Sequence, residues 1–317
     1  MAKALVFPGQ GAQTIGMGAA LAESYPVAKA VFDEVDDALG QDLSGLIFNG
    51  DIADLTLTEN AQPALMATSM AALRALESEG ASVTAAHYVA GHSLGEYSAL
   101  CAAGALGLSD TARLLKIRGR AMQKAVPVGV GAMAVLLGLD FAGASAVAKE
   151  AAQGEVCQAA NDNDPAQVVV SGHAGAVQRA IAIAKEKGAK RAMLLPVSAP
   201  FHCALMEDAA TAMAKALSEV EINRPVVPVV TNVNATAVSD PATIRSLLVD
   251  QVTGTVRWRE SVLWMAGQGV SEVFEIGAGK ALSGMIRRIA RDINCFTVGT
   301  PEGVNAAAEL LAGAKND

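Results

Sequence analysis

Short apolar runs alternate along this chain with Ala- and Leu-rich stretches of helical period, a rhythm that predicts an α/β fold. Residues 3–7 read as a short buried strand ending at the turn Pro8-Gly9-Gln10-Gly11. Leu65, Thr68, Ser69, Ala72, Leu73 and Leu76 recur at helical spacing and predict a helix over 65–79. Residues 88–90 read as a strand that stops at Gly91, and 94–105 as a buried helix of small residues. The β-branched runs 226–231 and 270–276, each bounded by turn residues, predict further strands.

The middle of the chain has a different pattern. Residues 132–139 predict a strand and 141–152 a helix. Two more strands, 156–160 and 167–171, flank the turn-rich Asn161-Asp162-Asn163-Asp164-Pro165. A helix over 175–187 and a strand over 190–197 complete the order β-α-β-β-α-β, the ferredoxin-like arrangement. Its two ends would lie close together, as an insertion requires. The sequence thus predicts a small ferredoxin-like domain over 126–197, inserted into a larger discontinuous domain made of 1–125 and 198–317.

Composition narrows the function classes. The 317 residues carry a net charge of −8, which argues against a nucleic-acid partner, since phosphate binding needs a basic face. With 52% hydrophobic and 18% charged residues the chain is expected to fold around a real core. No apolar stretch is long and unbroken enough to predict a membrane span, and the N-terminus turns too early for a signal peptide. Cys101, Cys157, Cys203 and Cys295 form no C-x-x-C and read as reduced thiols of a cytoplasmic protein. Neither they nor His87, His92, His173 and His202 have metal-site spacing, so no zinc site is expected.

The sharpest local signal is Gly91-His92-Ser93-Leu94-Gly95, a G-x-S-x-G between a predicted strand and a predicted helix. Such an elbow holds a serine in a tight turn, and the following helix N-terminus favours a developing anion. The larger domain accordingly reads as α/β-hydrolase-like. A serine needs a base to become a nucleophile at neutral pH. His92 adjoins the serine, but side chains diverge at an elbow, so packing or hydrogen bonding is its expected job. His87 and His173 sit at strand or turn edges and read as solvated. His202 follows the Pro-bracketed segment Pro196-Val197-Ser198-Ala199-Pro200-Phe201 and is the best candidate base. No carboxylate announces itself as a third member, and Asp208 follows too closely. A backbone carbonyl can fix the imidazole tautomer as well, which leaves a Ser–His dyad open.

Five segments occur in this order: Phe7-Pro8-Gly9-Gln10-Gly11-Ala12-Gln13, Gly91-His92-Ser93-Leu94-Gly95-Glu96-Tyr97, Leu115-Lys116-Ile117-Arg118-Gly119, Pro200-Phe201-His202 and Gly277-Ala278-Gly279-Lys280-Ala281-Leu282-Ser283. Together they closely resemble the malonyl-CoA:acyl-carrier-protein transacylases of type II fatty-acid synthesis. Ala12 and Cys203 stand where that family commonly has Ser. The resemblance implies a ping-pong transfer. Ser93 attacks the malonyl thioester with His202 as base, CoA leaves, and the phosphopantetheine thiol of acyl carrier protein collects the malonyl group. It implies further that the backbone amides of Gln10 and Leu94 form the oxyanion hole and that Arg118 pairs with the malonyl carboxylate. It assigns the carbonyl that orients His202 to Gln251 and part of the site lining to Asn161. In related acyltransferase domains of polyketide synthases, a Phe at the position of Phe201 accompanies malonyl selection, its ring crowding a methyl branch.

By charge pattern alone, Arg118 reads as part of a solvated helix face with Arg113, Lys116, Arg120 and Lys124; the motif match reverses that reading. A guanidinium suits a buried carboxylate because its fork makes two parallel hydrogen bonds. Arg118 also separates this reading from a serine esterase or thioesterase on the same elbow, which has no use for it. A non-catalytic scaffold is the remaining rival. Gly277-x-Gly279-Lys280 is not a phosphate loop and Gly129-x-Gly131 lacks a third glycine, so no nucleotide cofactor is implied. The expectation is a monomer without metal or cofactor, whose acidic partner docks on Lys190 and Arg191 or on Arg287, Arg288 and Arg291.

Overall fold

The computed structural model describes residues 2–197 and 199–311. Its strands, in chain order, are β1 (Ala2–Phe7), β2 (Tyr88–Gly91), β3 (Gly131–Leu137), β4 (Cys157–Asp164), β5 (Gln167–His173), β6 (Arg191–Leu194), β7 (Val229–Val230), β8 (Ala237–Val238), β9 (Val270–Ile276) and β10 (Asn294–Val298). They form two sheets, and the fold is mixed α/β. A six-stranded sheet has the order β10-β9-β1-β2-β7-β8, and a four-stranded sheet the order β4-β5-β3-β6.

The larger sheet is parallel except for the β7–β8 pair. Its centre is buried on both faces. Leu5 and Phe7 of β1 join one core with Phe274, while Ala4 and Val6 join another with Val230, Val273 and Trp258. Because β1 and β2 run parallel in the register Phe7↔Gly91, the turns that follow them emerge side by side at one sheet edge. In open α/β sheets that carboxyl edge is where ligands bind.

The smaller sheet is antiparallel throughout. Ala134, Leu136, Val168 and Val170 pack on the helices Phe141–Ala152 and Ala174–Glu186. Met133, Val135 and Val169 alternate onto the other face, which looks into a cavity. The sheet is sewn to the rest of the molecule along β4. Asp162 donates its N–H to Val256 O at 2.9 Å, and Val256 returns a bond to Ala160 O at 2.9 Å. Ion pairs join Asp162 to Arg259 (2.8 Å) and Asp164 to Arg288 (2.7 Å).

Several predicted elements shift. The expected turn over 161–165 begins too early, since β4 continues through Asp164. Four consecutive polar residues stay in a strand there because Asp162 and Asp164 pair with arginines, Asn163 bonds His92 and Asn161 lines the cavity, and register shifts on either side of Asn161 re-aim them. The strand expected over 226–231 shrinks to Val229–Val230, because Pro228 has no N–H to give to a ladder. The helix expected over 65–79 starts earlier, at Thr58, and tolerates Pro63 near its start. His173 is half-buried rather than solvated, its Nδ1 accepting the Val156 N–H at 2.9 Å; His87 is exposed.

Candidate active site

The elbow is built by glycine. A Cβ on Gly91 would lie 1.9 Å from the Gly95 carbonyl, and one on Gly95 would lie 2.2 Å from Phe7 O, so neither position admits another residue without moving the turn. Between them Ser93 sits at φ 53°, a left-handed conformation that a non-glycine residue holds only when its surroundings impose it. Here Asn232 imposes it: its Oδ1 accepts the Ser93 N–H at 2.7 Å, while its Nδ2 donates to Gly91 O at 2.7 Å.

Ser93 Oγ lies 2.7 Å from His202 Nε2, and His202 Nδ1 lies 2.8 Å from Gln251 O. The carbonyl can only accept, so Nδ1 carries the proton and Nε2 is the acceptor for the serine hydroxyl. His202 too has a left-handed backbone, at φ 57°. Burial, aided by the Arg118 charge and opposed by the Gln251 carbonyl, pushes its pKa down to about 3, so the ring stays neutral at working pH. A hydroxyl and a neutral imidazole so arranged can generate a nucleophile without a carboxylate.

Arg118 is 1% exposed, which removes it from the solvated helix face suggested by its neighbours. Its Nη2 donates to Gln251 Oε1 at 2.8 Å and to Ser93 Oγ at 3.1 Å, and its Nη1 donates to Gln62 Oε1 at 2.8 Å. The Tyr97 ring lies 5.7 Å from the guanidinium carbon. Among the described residues no carboxylate pairs directly with Arg118, and its Nε has no partner. A buried cation with only neutral contacts is prepared for an anionic ligand.

These groups open on a cavity of about 650 Å³ lined by Gln10, Gln62, His92, Leu94, Met133, Asn161, Asn163 and Phe201 as well as by Ser93, Arg118 and His202. The backbone N–H groups of Gln10 and Leu94 have no hydrogen-bonded partner among the described residues. Leu94 precedes the helix Gly95–Ala102, whose N-terminus faces the site. Asn161 reaches the cavity from β4, and His92 Nε2 bonds Asn163 Oδ1 at 2.8 Å, so the elbow and the smaller sheet touch. Cys203 stays out of the site, buried with its thiol donating to Pro200 O at 3.2 Å. No group of three or more His, Cys, Asp or Glu able to hold a metal occurs among the described residues. None of their helices is long and apolar enough to cross a membrane.

The acyl transferase domain model matches residues 4–296. The malonyl CoA-acyl carrier protein transacylase of Escherichia coli strain K12 is 46% identical over 307 residues, which span 97% of this chain and 99% of that protein. The crystal structure of an acyl-carrier-protein S-malonyltransferase from Bartonella henselae is 55% identical and superposes with a TM-score of 0.97, covering 99% of this chain and 100% of that one. This chain belongs to the malonyl-CoA:acyl-carrier-protein transacylase family. A malonyl-transacylase solved in complex with its type II polyketide-synthase acyl-carrier protein is 42% identical, with a TM-score of 0.95, and covers 98% of this chain and 100% of that one.

The transacylase brings together all the residues singled out from its sequence: Ser93, His202, Arg118, Gln10, Leu94, Asn161, Phe201 and Gln251. Three groups were not found that way. Gln62 and Asn232 lie in segments with no recognisable motif and meet the site only through folding. Glu96 is written into the elbow segment, where an acid in an otherwise apolar helix, Gly-Glu-Tyr-Ser-Ala-Leu-Cys-Ala, was the available signal. Its carboxylate is 1% exposed and burial raises its pKa to about 7, against the lowering effect of the Asn232 and Gln251 N–H groups and of Arg118.

Proposed function

We propose that this transacylase moves the malonyl group from malonyl-CoA to the phosphopantetheine thiol of an acyl carrier protein through a malonyl ester of Ser93. The Ser93 proton passes to His202 Nε2 as Oγ attacks the thioester carbonyl. The Gln10 and Leu94 N–H groups receive the oxyanion, and His202 returns the proton to the departing CoA sulfur. The carrier thiol repeats the sequence in reverse, giving its own proton to His202. Gln251 O holds the imidazole in the tautomer both halves require. Arg118 takes the free carboxylate of the malonyl group, and Asn161 and Phe201 shape the space beside it.

The observation that carries this reading is the buried guanidinium 3.1 Å from the nucleophile with neutral partners only. An esterase for neutral acyl groups gains nothing from that charge and bears its burial cost. Phe201, 9% exposed and in the cavity wall, favours malonyl over branched analogues by steric crowding.

The two-sheet architecture supports reading 126–197 as an inserted ferredoxin-like domain and 1–125 with 198–317 as an α/β-hydrolase-like one; positions 1, 198 and 312–317 lie outside the described residues. The carrier protein is acidic in such systems, and exposed Lys190 and Arg191 suit it better than Arg288, which is already committed to Asp164. The reading includes a monomer in the cytoplasm that needs no metal or cofactor.

Intact-mass analysis after exposure to malonyl-CoA, with the modified peptide mapped, tests the proposal. A stable adduct on Ser93 that carrier protein discharges is expected. Steady hydrolysis of malonyl-CoA in the absence of carrier protein would favour the thioesterase reading, and an adduct elsewhere would end both.

A further inference from the structure

We propose that Glu96 is a positioning residue for malonyl transfer: its buried carboxylate fixes the orientation of the Gln251 side-chain amide and of the Asn232 segment, and through them sets Arg118 and the Ser93 elbow. The inference rests on the malonyl-transfer reading above.

Glu96 Oε2 accepts two hydrogen bonds, from the Gln251 Nε2–H at 2.8 Å and from the Asn232 backbone N–H at 3.0 Å. Each recipient continues to the reacting groups. Gln251 Nε2 also donates to Ser93 O at 3.0 Å, which leaves Gln251 Oε1 facing Arg118 Nη2 at 2.8 Å. Asn232 Oδ1 holds the Ser93 N–H at 2.7 Å. One carboxylate therefore reaches the guanidinium by one route and the nucleophile's backbone by the other.

The amide of Gln251 has two ends of opposite polarity, and Glu96 decides which end faces which neighbour. Flipped, Oε1 would meet the Glu96 carboxylate and the Ser93 carbonyl, acceptor against acceptor. Its NH2 group would meet the guanidinium, donor against donor. Glu96 Oε2 accepts from both the Gln251 Nε2–H and the Asn232 N–H, so the observed orientation follows. Arg118 meets only neutral hydrogen-bond partners, and these contacts can give way to the acid end of a substrate.

The test is the rate of Ser93 acylation by malonyl-CoA and by acetyl-CoA, read by rapid-quench intact mass in the full-length enzyme. The malonyl-to-acetyl preference isolates the Arg118 route, because a general loss of folding or nucleophilicity lowers both rates together. In Glu96→Ala the preference should fall at least about tenfold. Glu96→Gln, which can still offer an amide oxygen to both N–H groups, should recover it to within about threefold of wild type. An unchanged preference in Glu96→Ala overturns the inference. Should that variant not fold, Glu96→Asp carries the test, since it withdraws the acceptor by one methylene; a preference within about twofold of wild type then overturns it. Wild-type enzyme that malonyl-CoA does not acylate at Ser93 overturns the functional reading itself, and this inference with it.

Discussion

The two sheets treat the same cavity differently. The larger one delivers Ser93 and the Gln10 loop at the ends of adjacent parallel strands, and the segments around it bring His202, Arg118 and Gln251 into one hydrogen-bonded cluster. The smaller one offers mainly an apolar wall, Met133, Val135 and Val169, with Asn161 and Asn163 as its polar contributions. On the proposed mechanism bond making is concentrated on one sheet and shape on the other, so the two should be separable by mutation.

The strongest test removes the proposed nucleophile. Ser93→Ala should lower transfer at least about a thousandfold and abolish the acyl adduct in intact mass, since the remaining groups have nothing to activate. Arg118→Ala comes next. Malonyl acylation should fall about a hundredfold while acetyl acylation falls far less, measured as the ratio of kcat/KM values. Comparable losses on both donors would assign Arg118 to structure.

The wall-forming sheet should answer in stability instead. Leu136 is fully buried among residues of that sheet and its two helices, so Leu136→Ala should cost about 2–5 kcal/mol in chemical denaturation. Ser93 acylation well below the melting temperature should stay close to wild type. A large loss of acylation rate in the folded variant would break the division of labour.

Acid should expose the contribution of His202. Its folded pKa, about 3, lies below the ordinary imidazole value of 6.5, so the unfolded chain binds the extra proton between those limits. Stability is therefore lost as pH falls from 6.5 towards 3, at up to about 1.4 kcal/mol per unit. Glu96 acts oppositely: raised to about 7 from 4.5, it adds stability as pH falls from 7 to 4.5 and partly offsets the loss over that span. Thermal melts should accordingly shift in favour of His202→Asn, relative to wild type, as pH drops from 6.5 to 4. A constant difference would mean that the imidazole is protonated in the fold. The smallest effect expected is on substrate choice. Phe201→Ser should raise the methylmalonyl-to-malonyl ratio by about tenfold, at the low end of the about 1–3 kcal/mol that one methylene is worth in a pocket.

What the sequence made legible follows the same division. The elbow could be read because its constraint is local: five residues carry both the glycines that make the turn and the serine it presents. The partners of Arg118 could not, since Gln62 and Gln251 lie 56 and 133 positions away and neither sits in a recognisable pattern. Gln251 entered the reading only through family likeness. In the smaller sheet the order of elements was readable from periodicity, while the polar end of β4 was not. A run of Asn and Asp signals a turn unless Arg259, Arg288 and His92 are known to wait for it. Strand β10 was missed because it is a short sheet-edge strand whose Cys295 and Phe296 are only half-buried.

That polar end of β4 also makes the cavity sensitive to chain length. Asn161 and Asn163 face the site, whereas Asp162 and Asp164 face arginines outside it. Deleting a single residue upstream in the strand would swap the two sets. Amides would then confront the arginines, and carboxylates would stand in the chamber proposed to receive the free carboxylate of the malonyl thioester. Neutral lining beside the guanidinium is thus a matter of parity, and an indel of one should repel the substrate where an indel of two need not.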